Sequence, residues 1–295
     1  MERLQEAIAR ARAERAGEIG KLPRYDKARP AVGSSAAAAP AGSAAADASA
    51  TRGSDASQQA RRPAPGTPPA ITYTHTRVVQ LDPQVLEKNR VIAGAHDDRR
   101  VEVYRQLRTQ VLQTLAQNGW SNLAITSPTE NAGKTLTSVN LAISLSQDVN
   151  HTVLLVDLDI TKPEVHTTLG VAAGDGIFDV AEGRASMEQV LFNPGMPRLV
   201  VLPGRPTGQP SSEALTSPGM LELLREMTRR YPTRIVIFDL PPLLRNDDAL
   251  TFTPYADATL MVVEDGVNTP AEIERSLHLM KHANFIGTIL NKAQL

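Results

Sequence analysis

From about residue 71 onward the sequence predicts a doubly wound α/β fold, a parallel sheet flanked by helices on both faces. Three observations carry that reading. Short, bounded runs rich in Val, Ile and Leu recur through the chain; helix-periodic stretches separate them; and Gly133, Lys134 and Thr135 stand where one such run gives way to a helix. Strands covered on both faces read as continuous apolar runs rather than as alternation. Strand–helix alternation is the pattern of a parallel sheet with crossover helices.

The elements follow in chain order. Residues 1–29 read as a short, basic amphipathic helix and its tail, with Leu4, Ile8 and Ala11 on one face. Such a helix is marginal alone, and its charge rules out a secretory signal. Residues 30–70, mostly Ala, Gly, Ser and Pro, lack the large apolar side chains needed to offset chain ordering and predict a disordered linker. The domain proper is expected over 71–295. It should open with an edge strand in 72–80 and a long helix over 98–117. Strands are expected at 121–126, 152–157, 198–203, 234–239, 258–263 and 285–291, and helices at 134–148, 218–230 and 270–283.

Composition narrows the function classes. Lys plus Arg (31) nearly balances Asp plus Glu (32), a net charge of −1, so no overall field recruits nucleic acid. With no cysteine, disulfides, thiolate metal sites and cysteine nucleophiles are excluded, which fits a cytoplasmic setting. No apolar run approaches the roughly 20 residues of a membrane span, so membrane association would come through a partner.

The run SNLAIT leads into SPTENAGKTLTSVNLAISL. A loop between strand and helix that ends in Gly-Lys-Thr is built to hold phosphate. Backbone N–H groups of Asn131, Ala132, Gly133, Lys134, Thr135 and Leu136 line the cradle at the helix N-terminus. Lys134 would neutralise β/γ-phosphate charge, and the Thr135 hydroxyl would ligate Mg2+. The usual loop begins with glycine where this chain has Pro128. Asn131, at a position where glycine is common, is the residue that next best tolerates positive φ. A plain helix N-terminus with a solvated lysine is the bland alternative.

Two strand ends carry acids. The run TVLLVD ends in Asp157 with Asp159 two residues on, and RIVIFD ends in Asp239 before Leu-Pro-Pro. Ligands of open parallel sheets bind beyond the carboxyl ends of the strands. All three acids are therefore expected near the phosphates, as Mg2+ holders or as a base for an attacking hydroxyl; helix capping is their simpler role. The last strand ends in Asn291-Lys292-Ala293-Gln294 without the aspartate that would read guanine. That favours ATP over GTP, with Asn291 as a contact to an adenine edge.

Together these motifs resemble the cytoplasmic ATPase domain of the bacterial tyrosine kinases (BY-kinases) of capsule and exopolysaccharide systems, over roughly residues 89–292. The modified phosphate loop is SPTENAGKT; the second motif is Asp157 to Pro163; the third is IVIFDLPP; and Glu102, Arg105 and Arg108 match a Glu-x-x-Arg-x-x-Arg helix. The resemblance implies an ATP- and Mg2+-dependent tyrosine kinase or ATPase. Lys134 and Thr135 would hold phosphate and metal, Asp157 would be the base, Asp159 would support the metal, and Asp239 would organise Mg2+ or the attacking group. Glu102, Arg105 and Arg108 would make contacts in a homo-oligomeric ring, although residues so spaced also pair within their own helix. It further implies a membrane-spanning polysaccharide chain-length (co-polymerase) partner, and so a peripheral place at the inner membrane.

Two departures stand out. Thr161 occupies the arginine position of the second motif, with Lys162 beside it, and the last forty residues hold none of the five tyrosines, Tyr25, Tyr73, Tyr104, Tyr231 and Tyr255. Tail autophosphorylation is therefore not expected; Tyr25, in the N-terminal segment, is the tyrosine expected to reach an active site. Two other readings compete: a partitioning or positioning ATPase, although Thr129 stands where those proteins carry an extra lysine, and a nucleotide-gated scaffold without catalysis.

Overall fold

A computed structural model describes residues 76–94, 100–206, 211–229 and 233–293. The expectations for residues 1–29 and 30–70, and those for Tyr25, Tyr73 and Tyr231, lie outside the described residues. The strands are β1 (Arg77–Val78), β2 (Asn122–Thr126), β3 (Thr152–Asp157), β4 (Phe192–Asn193), β5 (Leu199–Leu202), β6 (Arg234–Asp239), β7 (Ala258–Glu264) and β8 (Phe285–Asn291). The helices are α1 (Pro83–Lys88), α2 (Val101–Asn118), α3 (Lys134–Ser146), α4 (Val165–Thr168), α5 (Ile177–Ala181), α6 (Met187–Val190), α7 (Ser211–Leu215), α8 (Pro218–Arg229), α9 (Asp248–Phe252) and α10 (Pro270–Leu279).

One eight-stranded sheet runs in the order β1-β4-β5-β3-β6-β2-β7-β8. Every pairing is parallel except β4 with β5, which is antiparallel at Phe192↔Val201. The sheet is thus mixed rather than wholly parallel. The reason is the short connection from Asn193 to Leu199, which turns at Gly195 (φ 76°). A link that brief returns the chain antiparallel, because parallel neighbours need a crossover of a dozen residues or more.

Alternate side chains of the central strands feed two cores. Leu154, Val156, Val236 and Phe238 pack on one face with Met220, Leu224 and Met227 of α8 and with Ile273 and Leu277 of α10. Val153, Leu155, Ile235 and Ile237 pack on the other with Val139, Ile143 and Leu145 of α3 and with Val111 and Leu115 of α2. That period of two, buried on both sides, is why these strands read as unbroken apolar runs. Each such side chain contributes about 1.5–3 kcal/mol of burial.

The helix ends follow their local chemistry. Gly119 (φ 66°) closes α2 in the left-handed conformation. Thr269 and Glu272 form a reciprocal capping box at the start of α10, with Pro270 in its first turn. The outcome that matters for function is at the carboxyl edge. β2, which leads into the phosphate loop, lies next to β6 and one strand from β3, and Asp157 and Asp239 sit in direct register.

Candidate functional site

The loop between β2 and α3 turns through two left-handed residues, Asn131 (φ 62°) and Gly133 (φ 93°). Asn131 tolerates that conformation as the sequence suggested. Gly133 needs it for a second reason as well: a Cβ there would run into Asn291 Nδ2. The loop is held from outside by several elements. Leu243 N donates to Ser127 O (2.8 Å) and Leu244 N to Pro128 O (3.1 Å). Asn268 Nδ2 donates to Thr129 Oγ1 (2.7 Å), Asn291 Nδ2 to Ala132 O (2.8 Å) and Lys292 Nζ to Asn131 O (2.8 Å).

At the start of α3 the charged groups converge. Lys134 Nζ lies 2.8 Å from Asp159 Oδ2 and 3.6 Å from Asp239 Oδ2, with only 9% of its side chain exposed. Thr135 Oγ1 donates to Asp239 Oδ2 at 2.7 Å, and Ser138 Oγ donates to Asp239 Oδ1 at 3.0 Å. Burial works against the Lys134 charge, but the carboxylates of Asp239 and Asp159 outweigh it and hold the ammonium above its usual range. Burial raises Asp239, opposed by Lys134 and Thr135.

Asp157 differs from the other two acids. It is wholly buried, and both its oxygens accept backbone N–H groups, Oδ1 from Asp159 (3.2 Å) and Oδ2 from Val165 (3.0 Å). Burial pushes its carboxyl well above the usual range, the neighbouring Asp239 adds to that push, and the Val165 N–H opposes it. In this conformation Asp157 therefore fastens the turn after β3, and a base role would require it to release a backbone partner. Gly204 packs against it so closely that a Cβ would stand 3.1 Å from its carboxyl carbon.

The metal candidates divide in the same way. Among the described residues no three His, Cys, Asp or Glu side chains form a metal-holding group, so Asp157, Asp159 and Asp239 make no cage of their own. The donors present, the Thr135 hydroxyl backed by Asp239, are hard oxygens of the type Mg2+ takes when phosphates and water supply its remaining ligands. The residues fit that group.

Other expected residues have defined places. Ala132 is buried in the loop, and the Leu136 side chain packs into the core of the α3 face, so Leu136 has only its backbone to offer a ligand. Glu102 and Arg105 form the exposed i,i+3 pair at 3.5 Å, the simpler of their two expected roles. Arg108 instead donates from Nη1 to Ser144 O on α3 (2.9 Å). Lys162 is drawn to Glu164 at 2.9 Å, and Thr161 is exposed. Tyr104 is half-buried against α3 with its hydroxyl toward Thr137 and Asn140, and burial raises its pKa. Tyr255 is 48% exposed.

Sequence reasoning missed Ser138, Asn268 and Lys292 as parts of the site. Only Ser138 had a readable signal, since it lies four residues after Lys134 on the same helix face.

Residues 123–294 match the CobQ/CobB/MinD/ParA nucleotide-binding domain. The chain belongs to that family. The matched domain is a nucleotide-binding one, and residues 123–294 include the loop between β2 and α3. Within the family the chain is 31% identical over 196 residues to tyrosine-protein kinase YwqD of Bacillus subtilis, covering 66% of this chain and 81% of that protein. It is 32% identical over 184 residues to tyrosine-protein kinase Wzc of Salmonella typhimurium, covering 62% of this chain. It spans 25% of the length of the Wzc and EpsB relatives. The kinase domain of the Escherichia coli tyrosine kinase ETK superposes with a TM-score of 0.62 at 27% identity, covering 73% of this chain and 88% of that one. The motif resemblance to bacterial tyrosine kinases is thus matched in overall sequence and in fold. Among the described residues no helix is long and apolar enough to cross a membrane.

Proposed function

We propose that this chain binds Mg-ATP and acts as a tyrosine kinase, or kinase-like ATPase, that regulates capsule or exopolysaccharide production. The observation that carries the reading is the convergence at the start of α3, where Lys134 Nζ lies 2.8 Å from Asp159 and 3.6 Å from Asp239 and the Thr135 hydroxyl donates to Asp239 at 2.7 Å. In that reading the loop N–H groups grip the phosphates, and Lys134 swings from the carboxylates to the β/γ oxygens. Bound Mg2+ would supply charge neutralisation at the transferred phosphate. Thr135 would hold it directly, with Asp239, and Asp159 once released by Lys134, oriented behind it. Asn291 would present its remaining carbonyl toward the adenine while its amide holds Ala132.

Asp157 is proposed as the base that accepts the tyrosine proton, for which its raised pKa is suited once the Val165 N–H yields. Glu102 and Arg105 would face a neighbouring copy in a homo-oligomer. The partner would be a membrane-spanning chain-length protein, which would hold this chain on the cytoplasmic side of the inner membrane. No role in binding nucleic acid is proposed.

A second reading, a nucleotide-gated scaffold, is favoured by the engagement of both Asp157 oxygens. Incubation with Mg-ATP and mass spectrometry separates the two. The kinase reading expects phosphotyrosine on Tyr25 or on an added tyrosine peptide. ATP binding with neither modified would leave the scaffold.

A further inference from the structure

An acid on a loop that holds a triphosphate opposes binding unless a cation balances it. The phosphate loop here carries Glu130, four residues before Lys134. Its Oε1 lies 3.0 Å from Arg245 Nη1, with the two side chains 46% and 32% exposed. The pairing is fixed by the backbone rather than by two long side chains meeting at random. The segment after β6 is fastened to the loop at Leu243 N to Ser127 O and Leu244 N to Pro128 O, so Arg245 and Glu130 emerge side by side. One residue further, Asn246 Oδ1 is buried without a hydrogen-bond partner among the described residues, while Asn246 Nδ2 donates to Asp248 Oδ2. A buried acceptor left unmet is costly, so this short segment has something to gain by shifting.

We propose that Arg245 is a nucleotide-reading residue: Glu130 stores its guanidinium at the rim of the phosphate loop, and a bound triphosphate draws it away. This rests on the ATP reading above and adds a specificity device to it. A guanidinium is suited to the exchange, since it bonds carboxylate and phosphate with the same donor geometry. The terminal phosphate has the most charge to offer, so the transfer would favour ATP over ADP. Glu130 acts as the counterweight, limiting affinity until the phosphate outcompetes it.

The test is nucleotide affinity by isothermal titration with Mg-ATP and Mg-ADP, on wild type, Arg245→Gln and Glu130→Gln. Both side chains are partly exposed, and thermal melts verify that the variants fold. A charged hydrogen bond at a partly solvated rim corresponds to about tenfold in affinity. Arg245→Gln should weaken ATP about tenfold and ADP less than about threefold, while Glu130→Gln should tighten ATP about three- to tenfold. Equal losses for ATP and ADP, or no change in either variant, overturn the assignment while leaving ATP binding intact. A wild-type chain that binds neither nucleotide sinks this inference and the function proposed above together.

Discussion

Replacing Lys134 by methionine should do more than remove a phosphate contact. The ammonium is nearly buried and stands 2.8 Å from Asp159 and 3.6 Å from Asp239, with Asp157 wholly buried in the same cluster. Methionine fills much the same volume but leaves three buried carboxyls with no cation among them. Removing one partner of a buried ion pair costs about 3–5 kcal/mol. At about 2–4 °C per kcal/mol for a domain of this size, the melting temperature should fall by roughly 6–20 °C at neutral pH without nucleotide. The pH dependence has a definite sign. Asp157 and Asp239 have folded pKa values raised above the unfolded value, so their protonated forms favour folding. That contribution is full below the unfolded value of about 3.9 and is lost as pH rises through the raised folded values. Loss of Lys134 raises those values further, so the deficit of the variant should shrink on acidification and grow toward neutrality. Circular dichroism melts of both proteins across pH would measure it. A melting temperature unchanged at neutral pH would refute the idea that Lys134 neutralises this cluster.

The remaining predictions concern the loop, the helices and the protons. Gly133→Ala should destabilise by about 1–3 kcal/mol, through positive φ and the collision with Asn291, and should abolish nucleotide binding; adding Asn291→Ala should recover part of the melt. Arg108→Ala, which loses the bond to Ser144 O, should cost about 1 kcal/mol in denaturant unfolding. Glu102→Ala, at an exposed pair, should cost less than about 0.5 kcal/mol, so a change in oligomer size by light scattering in that variant would report an interface. Binding of ATP without Mg2+ should take up protons at neutral pH, because Lys134, whose charge opposes the rise of the Asp239 carboxyl, leaves it for the phosphates. Calorimetry in buffers of different ionisation enthalpy reads that uptake, and none is expected if Lys134 stays with the carboxylates.

Much of the fold was legible because its central strands are unbroken apolar runs: β3, β6 and β8 have the bounds that the sequence suggested. β4 was not legible, since Phe192–Asn193 is two residues long and has no period to read. The helices α4 to α7, of four or five residues, are likewise too short to show a helical repeat. Within the site, the residue types and strand-end positions brought Lys134, Thr135, Asp159 and Asp239 together as expected. What the sequence could not tell was which lone pairs the backbone would claim. Asp157 and Asp159 look alike in the string Asp-Leu-Asp, yet backbone N–H groups claim both oxygens of the first, whereas the second gives one oxygen to the Lys162 N–H and turns the other to Lys134. The clamps Asn268 and Lys292 come from loops more than 130 residues away, and only the strand order brings them to the phosphate loop.

The most direct measurement is calorimetric titration of ATP into wild type and Thr135→Ala, each with and without Mg2+. Saturable binding that Mg2+ strengthens in wild type, and that loses about tenfold or more of its Mg2+-dependent part in the variant, is the predicted result. Binding indifferent to both Mg2+ and Thr135, or no binding of ATP at all, would contradict the account.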